Sequence, residues 1–173
     1  MGFRPVKAKL TDIDGISLLL KDYADMGNLL PRTSQDIKDN IDEFWVIHDQ
    51  QNGDISKNTD SKNNNSITSN AKHVIACGAL EQFTDELIEI RSLVVNPTIQ
   101  GSGLGKMLVQ ELTHAARKRG AKRLMALTYS VGFFEKLDFK VVEKDIFPEK
   151  IWSICVNCYK FNNCDEVAVV LYL

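Results

Sequence analysis

Long hydrophobic runs are missing from this chain. No stretch approaches the roughly 20 consecutive apolar residues that a bilayer crossing needs, and the opening Met1-Gly2-Phe3-Arg4-Pro5-Val6-Lys7 lacks the apolar core of a secretory signal. A myristoylation signal fails too, because Val6 stands where it wants Ser or Thr. Charge of one sign is also missing: 21 Lys and Arg against 23 Asp and Glu leave a formal charge of −2 and no basic footprint for nucleic acid. Cysteine is scarce and uneven, with Cys77 alone and then Cys155, Cys158 and Cys164 as C-x₂-C-x₅-C. Without a secretion signal, disulfides at rest are not expected. Three close thiols with Asp165, His114 or Cys77 as a fourth ligand would suit zinc, but no second C-x₂-C completes the pattern. Reduced thiols packed near the C-terminal strand, with no metal, are the expectation. These exclusions leave a soluble cytoplasmic protein with neither a membrane nor a nucleic-acid partner; a homodimer stays open.

At 173 residues and 44% hydrophobic composition, residues 1–173 make one domain with a proper core. Phe3 to Leu10 reads as an edge strand, and Thr11-x-x-Asp14 as a capping-box variant before a helix that buries Ile13, Ile16, Leu19, Leu20 and Tyr23. Gly27 and Pro31 end that pattern. Thr33-x-x-Asp36 then caps a short second helix with Ile37 and Ile41 inward. Strands are expected at 43–48, 74–83, 86–95, 123–128, 139–144 and 167–173, with a short helix at 131–137. Residues 49–72, rich in Asn, Ser, Asp and Lys, offer almost nothing to bury and read as a disordered low-complexity loop insertion. Strands mixed with a few helices indicate an α/β fold around one sheet.

The most informative stretch is Leu93-Val94-Val95-Asn96-Pro97-Thr98-Ile99-Gln100-Gly101-Ser102-Gly103-Leu104-Gly105. An apolar, β-branched run ends at Asn-Pro, and a glycine-rich turn opens into a helix with apolar residues at Leu104, Met107, Leu108, Leu112, Ala115 and Ala116, stopped at Gly120. Glycines let a ligand approach the backbone closely, the first amides of a helix have no internal partners, and the dipole adds positive potential, so a phosphorylated ligand is expected. Two nucleotide motifs do not fit. Lys106 is followed by Met107, where a P-loop needs Ser or Thr, and the spacing is G-x-G-x-G rather than the dinucleotide G-x-G-x-x-G.

Q-x-x-G-x-G after V-x-N-P resembles instead the pyrophosphate loop of GNAT-type N-acetyltransferases. Glu89-Ile90-Arg91-Ser92-Leu93-Val94-Val95 looks like that family's central strand, Ala115 to Ala121 like the end of its main helix, and Phe133 to Phe139 like its Y-x-x-x-G-F segment. The similarity spans roughly residues 5 to 145. It implies acetyl-CoA as acetyl donor and a mixed, mostly antiparallel sheet flanked by helices, whose central strands, one ending near Val95 and the other near Thr128, splay apart to admit the acyl chain. It also implies that the backbone of Leu93, Val94 and Val95 pairs with the pantetheine arm as an added strand would. Amides of Gln100, Gly101, Ser102, Gly103, Leu104 and Gly105 would take the pyrophosphate, with Lys106 adding charge or standing solvated.

Moving acetyl from a thioester to an amine requires a base for the ammonium, stabilisation of the carbonyl oxygen and a proton for the departing thiolate. Glu89 stands where relatives often keep the base; the alternative is a solvated glutamate at the strand start, with Glu81 next in line. Where many relatives carry an acidic tyrosine this chain has Phe134, which cannot donate a proton. Tyr129 is the substitute candidate, water or a plain rim tyrosine the alternative.

Leu29-Leu30-Pro31-Arg32, Cys77-Gly78-Ala79-Leu80 and Glu89-Ile90-Arg91-Ser92 further resemble the acetyltransferase domain of N-acetylglutamate synthases and related amino-acid N-acetyltransferases. That implies an acceptor with a carboxylate beside its amine, for which Arg32 and Arg91 are the bidentate candidates. Arg91 shares a strand face with Glu89, so base and clamp can face one pocket or simply pair with each other. No amino-acid-kinase-like segment precedes the domain, so control by arginine through one is not expected. The expected activity is transfer to the α-amino group of a small amino acid, glutamate first, as in arginine biosynthesis. A peptide or protein acceptor, or a non-catalytic CoA-binding sensor, are the alternatives.

Overall fold

The computed structural model describes residues 2–27, 29–49, 73–158 and 160–173. Of the expected insertion at 49–72, residues 50–72 lie outside the described residues. The first strand, β1 (Val6–Lys7), is much shorter than Phe3 to Leu10, because the chain turns at Leu10–Asp12 into a 3-10 coil. That coil also moves the helix cap. Asp12, rather than Asp14, provides the carboxylate, which accepts from the Lys9 backbone N–H at 2.8 Å and meets His48 Nε2 at 2.8 Å. Helix α1 (Ile13–Asp25) then buries Ile16, Leu19 and Leu20, as their spacing requires. Thr33 caps α2 (Ser34–Asp39) as expected, its hydroxyl accepting from the Asp36 N–H at 3.1 Å.

The remaining elements are β2 (Phe44–His48), β3 (Val74–Gln82), β4 (Leu87–Val95), α3 (Leu104–Lys118), β5 (Arg123–Thr128), α4 (Val131–Glu135), β6 (Lys140–Val142), α5 (Pro148–Ser153) and β7 (Val167–Tyr172). Among the described residues the strands form one sheet in the order β1-β2-β3-β4-β5-β7-β6, and β4–β5 is its parallel pair within an otherwise antiparallel ladder. A mixed, open, mostly antiparallel sheet flanked by helices is thus the architecture.

One face of the sheet is covered by α3, whose Leu104, Leu108, Leu112 and Ala116 pack with Ile88, Ile90, Leu124 and Ala126. Each large aliphatic buried there contributes about 1.5–3 kcal/mol. The opposite face carries two separate apolar clusters. Ile16, Leu20, Ile37, Phe44 and Val94 form one beneath α1 and α2; Leu87, Met125, Phe147 and Val170 form the other. Polar side chains of β3 and β4 lie between them.

Two features of β4 open the site. Its ladder with β5 pairs Leu87↔Arg123, Ile88↔Leu124 and Glu89↔Met125 and then stops, although both strands continue. Against β3, the register jumps from Ala79↔Arg91 to Cys77↔Val94, so Ser92 and Leu93 together oppose Gly78, and Ser92 takes φ +52°. This is a β-bulge. It reverses the alternation: Ile88 and Ile90 face α3 before it, Leu93 and Val95 after it. Gly78 suits that place, since a Cβ there would stand 3.0 Å from Leu112 Cδ1 and 3.2 Å from Leu93 Cδ1, closer than those side chains accept without shifting.

Candidate active site

A cleft of about 1210 Å³ runs from the Gln100–Gly105 loop, past the free edge of β4, to Glu89 and the segment between β6 and β7. That volume exceeds the ~300–1,000 Å³ of ordinary small-molecule pockets, as two substrates side by side would require.

The loop end is built from backbone. Gly101 and Gly103 hold φ +81° and +87°, with open space where a Cβ would stand. Gly103 precedes the first turn of α3, and its carbonyl accepts from the Met107 amide at 3.0 Å. Among the described residues, the amides from Gln100 to Lys106 donate no backbone hydrogen bond. Unpaired amides, left-handed glycines and a helix start together make a cradle that fits a diphosphate. Lys106 lines the same cleft. Beside the loop, the Asn96 amide bonds Ile75 O at 2.8 Å, which turns the backbone groups of Val95, and of Leu93 before it, toward the cleft. Val94 instead buries its side chain beneath α1. The Val95 carbonyl already accepts a 2.7 Å bond from Tyr23 Oη, and Gln100 Nε2 donates to that same hydroxyl. Tyr23 was legible only as a core residue of α1.

The other end is built from charged side chains. Glu89, 2% exposed, stands at the last rung where β4 and β5 still pair. Lys150 of α5, 6% exposed, places its Nζ 2.7 Å from both carboxylate oxygens, and Arg91 Nε lies 3.7 Å from one of them. Burial pushes the Glu89 carboxyl above its ordinary range; the Lys150 and Arg91 charges oppose this without cancelling it. Glu89 is therefore a partnered, buried group rather than a solvated one. Arg91 also bonds Glu81, which lines a smaller neighbouring cavity of about 290 Å³ rather than the main cleft. Burial works against the Arg91 charge, but Glu89 and Glu81 outweigh it. Arg32 lines the cleft too, pairs with Asp36, bonds Ser92 Oγ at 3.2 Å and lies over the Phe44 ring at 5.2 Å. Base candidate and both arginines thus come together, each already engaged.

Tyr129 follows β5 at the rim, 41% exposed, donating to Asp165 Oδ1 at 2.7 Å and accepting from Lys160 Nζ at 3.0 Å. Lys160 lowers its pKa, but Asp165, with burial and Glu166, raises it by more, so the phenol holds its proton. Phe134 is in the α3-side core, edge-on to Phe133 and Phe139 at 5.1 Å each. Cys155, Cys158 and Cys164 all line the cleft as free thiols, and no metal-holding group of three or more His, Cys, Asp and Glu occurs among the described residues. Sequence reasoning missed α5 and with it Lys150. Its signal was Phe147-Pro148-Glu149: Pro at the first helical position with an acid beside it.

Residues 30–139 match the model of the acetyltransferase (GNAT) family. An uncharacterized N-acetyltransferase of Chlorobaculum tepidum is 34% identical over 163 residues, covering 94% of this chain and 92% of that one. Amino-acid acetyltransferases of Yersinia pseudotuberculosis and Yersinia pestis are 31% identical over 144 residues, and the match spans only 28% of their length. Among solved structures, Rv2747 of Mycobacterium tuberculosis, in complex with CoA and NLQ, superposes with a TM-score of 0.73 at 25% identity, covering 98% of both chains. The N-acetylglutamate synthase of Neisseria gonorrhoeae, complexed with coenzyme A and N-acetyl-glutamate, superposes at 0.79 with 24% identity over 35% of its length, a likeness of fold. With an amide cradle for the diphosphate, a parted strand pair and a matching family model, the chain belongs to the GNAT acetyltransferases, which draw their acetyl group from acetyl-CoA.

Proposed function

We propose that this enzyme acetylates the α-amino group of a small amino acid, with L-glutamate the first candidate, a reaction of the kind arginine biosynthesis uses, in the cytoplasm. The observation that carries the reading is the buried Glu89, set where β4 and β5 part, with Arg91 two residues on along the same face. Relatives named amino-acid acetyltransferase support it, as does the fold shared with a synthase solved with N-acetyl-glutamate.

Bound acetyl-CoA supplies the activated acetyl group. Unpaired amides from Gln100 to Gly105, with Lys106, hold the diphosphate, and the cleft-facing backbone of Leu93 and Val95 lies along the pantetheine arm. Glu89 takes the proton from the acceptor's ammonium, so that the amine attacks with its lone pair free. Burial suits it to that task, because a raised carboxyl pKa makes a stronger base. Arg91 and Arg32 grip acceptor carboxylate, and Tyr129 gives a proton to the departing sulfur. Small acceptors are favoured over peptides by the crowd of charged side chains, Glu89, Lys150, Arg91 and Arg32, that walls this end.

A screen of acetyl-CoA consumption over the free amino acids, with a lysine-containing peptide alongside, tests the proposal. Turnover with glutamate or a near neighbour, and none with peptide, is expected. Turnover with peptide alone would overturn the acceptor assignment, and CoA binding without turnover on any amine would overturn catalysis.

A further inference from the structure

We propose that Lys150 holds the acceptor's place on Glu89 and reads the carboxylate beside the acceptor's amine. The inference rests on the reading of Glu89 as the base and of the acceptor as an amino acid. It starts from the fact that an ammonium group already sits on that base, 2.7 Å from both oxygens, inside the cleft.

An incoming ammonium has to displace it. For a plain amine, displacement leaves Lys150 buried without its close counter-charge, Glu166 feeling its charge only from beyond ion-pair distance, an unfavourable state. An α-amino acid avoids that outcome because it brings both charges. Its ammonium takes Lys150's place on Glu89, its carboxylate receives the released Lys150, and one ion pair becomes two. The pair thus selects zwitterions.

Neighbouring groups assign this exchange to Lys150. Arg91 is bonded to Glu81, and Arg32 to Asp36 and Ser92, whereas among the described residues Glu89 is the only carboxylate within ion-pair distance of Lys150. The backbone of α5 is anchored next to Lys150 by Phe147, 1% exposed in the Leu87–Met125 cluster, while the lysine stem is long and flexible. The Phe83 ring, 5.7 Å from Nζ, provides a cation-tolerant surface along which the ammonium can shift. Arg32 and Arg91 remain for a second acceptor carboxylate, as on glutamate.

The test compares L-glutamine with 4-aminobutanamide, the amine left when its α-carboxylate is removed, which carries no negative charge. On the wild-type protein loaded with CoA, the amino acid raises the melting temperature and the amine does not; equal shifts would overturn the proposal without any variant being made. In kinetics at a pH above the Glu89 limb, Lys150→Met lowers kcat/KM for the amino acid relative to that for the amine by roughly tenfold or more, and Lys150→Arg restores the preference. A merely structural role would lower both substrates together and keep their ratio, which would overturn it. Wild-type enzyme that acetylates amino acid and amine equally refutes the selection alone and leaves acetyl transfer standing; wild type that acetylates neither removes both.

Discussion

The two ends of the cleft are made of different material. At Gln100–Gly105 the ligand meets main chain, whose geometry is fixed by two left-handed glycines and a helix start. At Glu89 it meets side chains gathered from β4, from α5 and from Arg32 just before α2. Backbone cradles serve any acyl-CoA user and tolerate change around them. Side-chain clusters carry the choice of acceptor, and each member alters the charge felt by the others.

Substitutions should expose that contrast, the loop losing binding outright and the cluster losing rate or selectivity by degrees. Gly103→Glu strains a φ of +87° and puts a carboxylate against the diphosphate, so calorimetry should find acetyl-CoA binding abolished; retained affinity would end the loop assignment. Glu89→Gln should lower kcat by about 10²–10⁴-fold with acetyl-CoA affinity unchanged. Because it also leaves Lys150 without a counter-charge, thermal melting should fall as well. Arg91→Ala should raise the acceptor KM by roughly tenfold and leave the acetyl-CoA KM alone; equal effects on both would argue against a carboxylate clamp. The pH profile sharpens the contrast further. Burial raises the Glu89 pKa, so its base form is lost at a higher pH than for an ordinary carboxylate, and kcat/KM should fall with acid along a limb above the usual ~4.3. Lys150 opposes that rise, so Lys150→Met should push the limb higher still. Tyr129→Phe should have the smallest effect, at most about tenfold on kcat, because water reaches this exposed rim and can deliver the proton itself.

The same contrast explains what could be read in advance. The loop was legible because its determinants are local: β-branched residues, Asn-Pro, then glycines at fixed spacing before an amphipathic helix. Helix α3 and the central strands followed from periodicity; Glu89 and Arg91 came from the family resemblance, and the two-residue repeat added only that they share a strand face. Lys150 was not legible, because it meets Glu89 across 61 residues of sequence on a six-residue helix too short to show a period. The start of α1 misled for a related reason. Thr11 and Asp14 have the right spacing, but Asp12 gains a second partner in His48, 36 residues away, and that tertiary bond settles which acid turns inward. The Ser92 bulge left its mark only on the neighbouring strand, at Gly78.

That single additional residue has a consequence for how the enzyme can change. A strand repeats every two residues, so inserting one inverts its phase. Upstream of Ser92 the side chains that meet the reaction chemistry are the charged Glu89 and Arg91; downstream the strand carries only the aliphatics Leu93, Val94 and Val95. Shortening β4 by one residue there would turn Leu93 and Val95 away from α3 and bring Val94 to it while Glu89 and Arg91 stay in place, whereas substitutions on either side stay independent. Acceptor preference can drift along one half of the strand while the half that receives the acyl carrier is inherited intact.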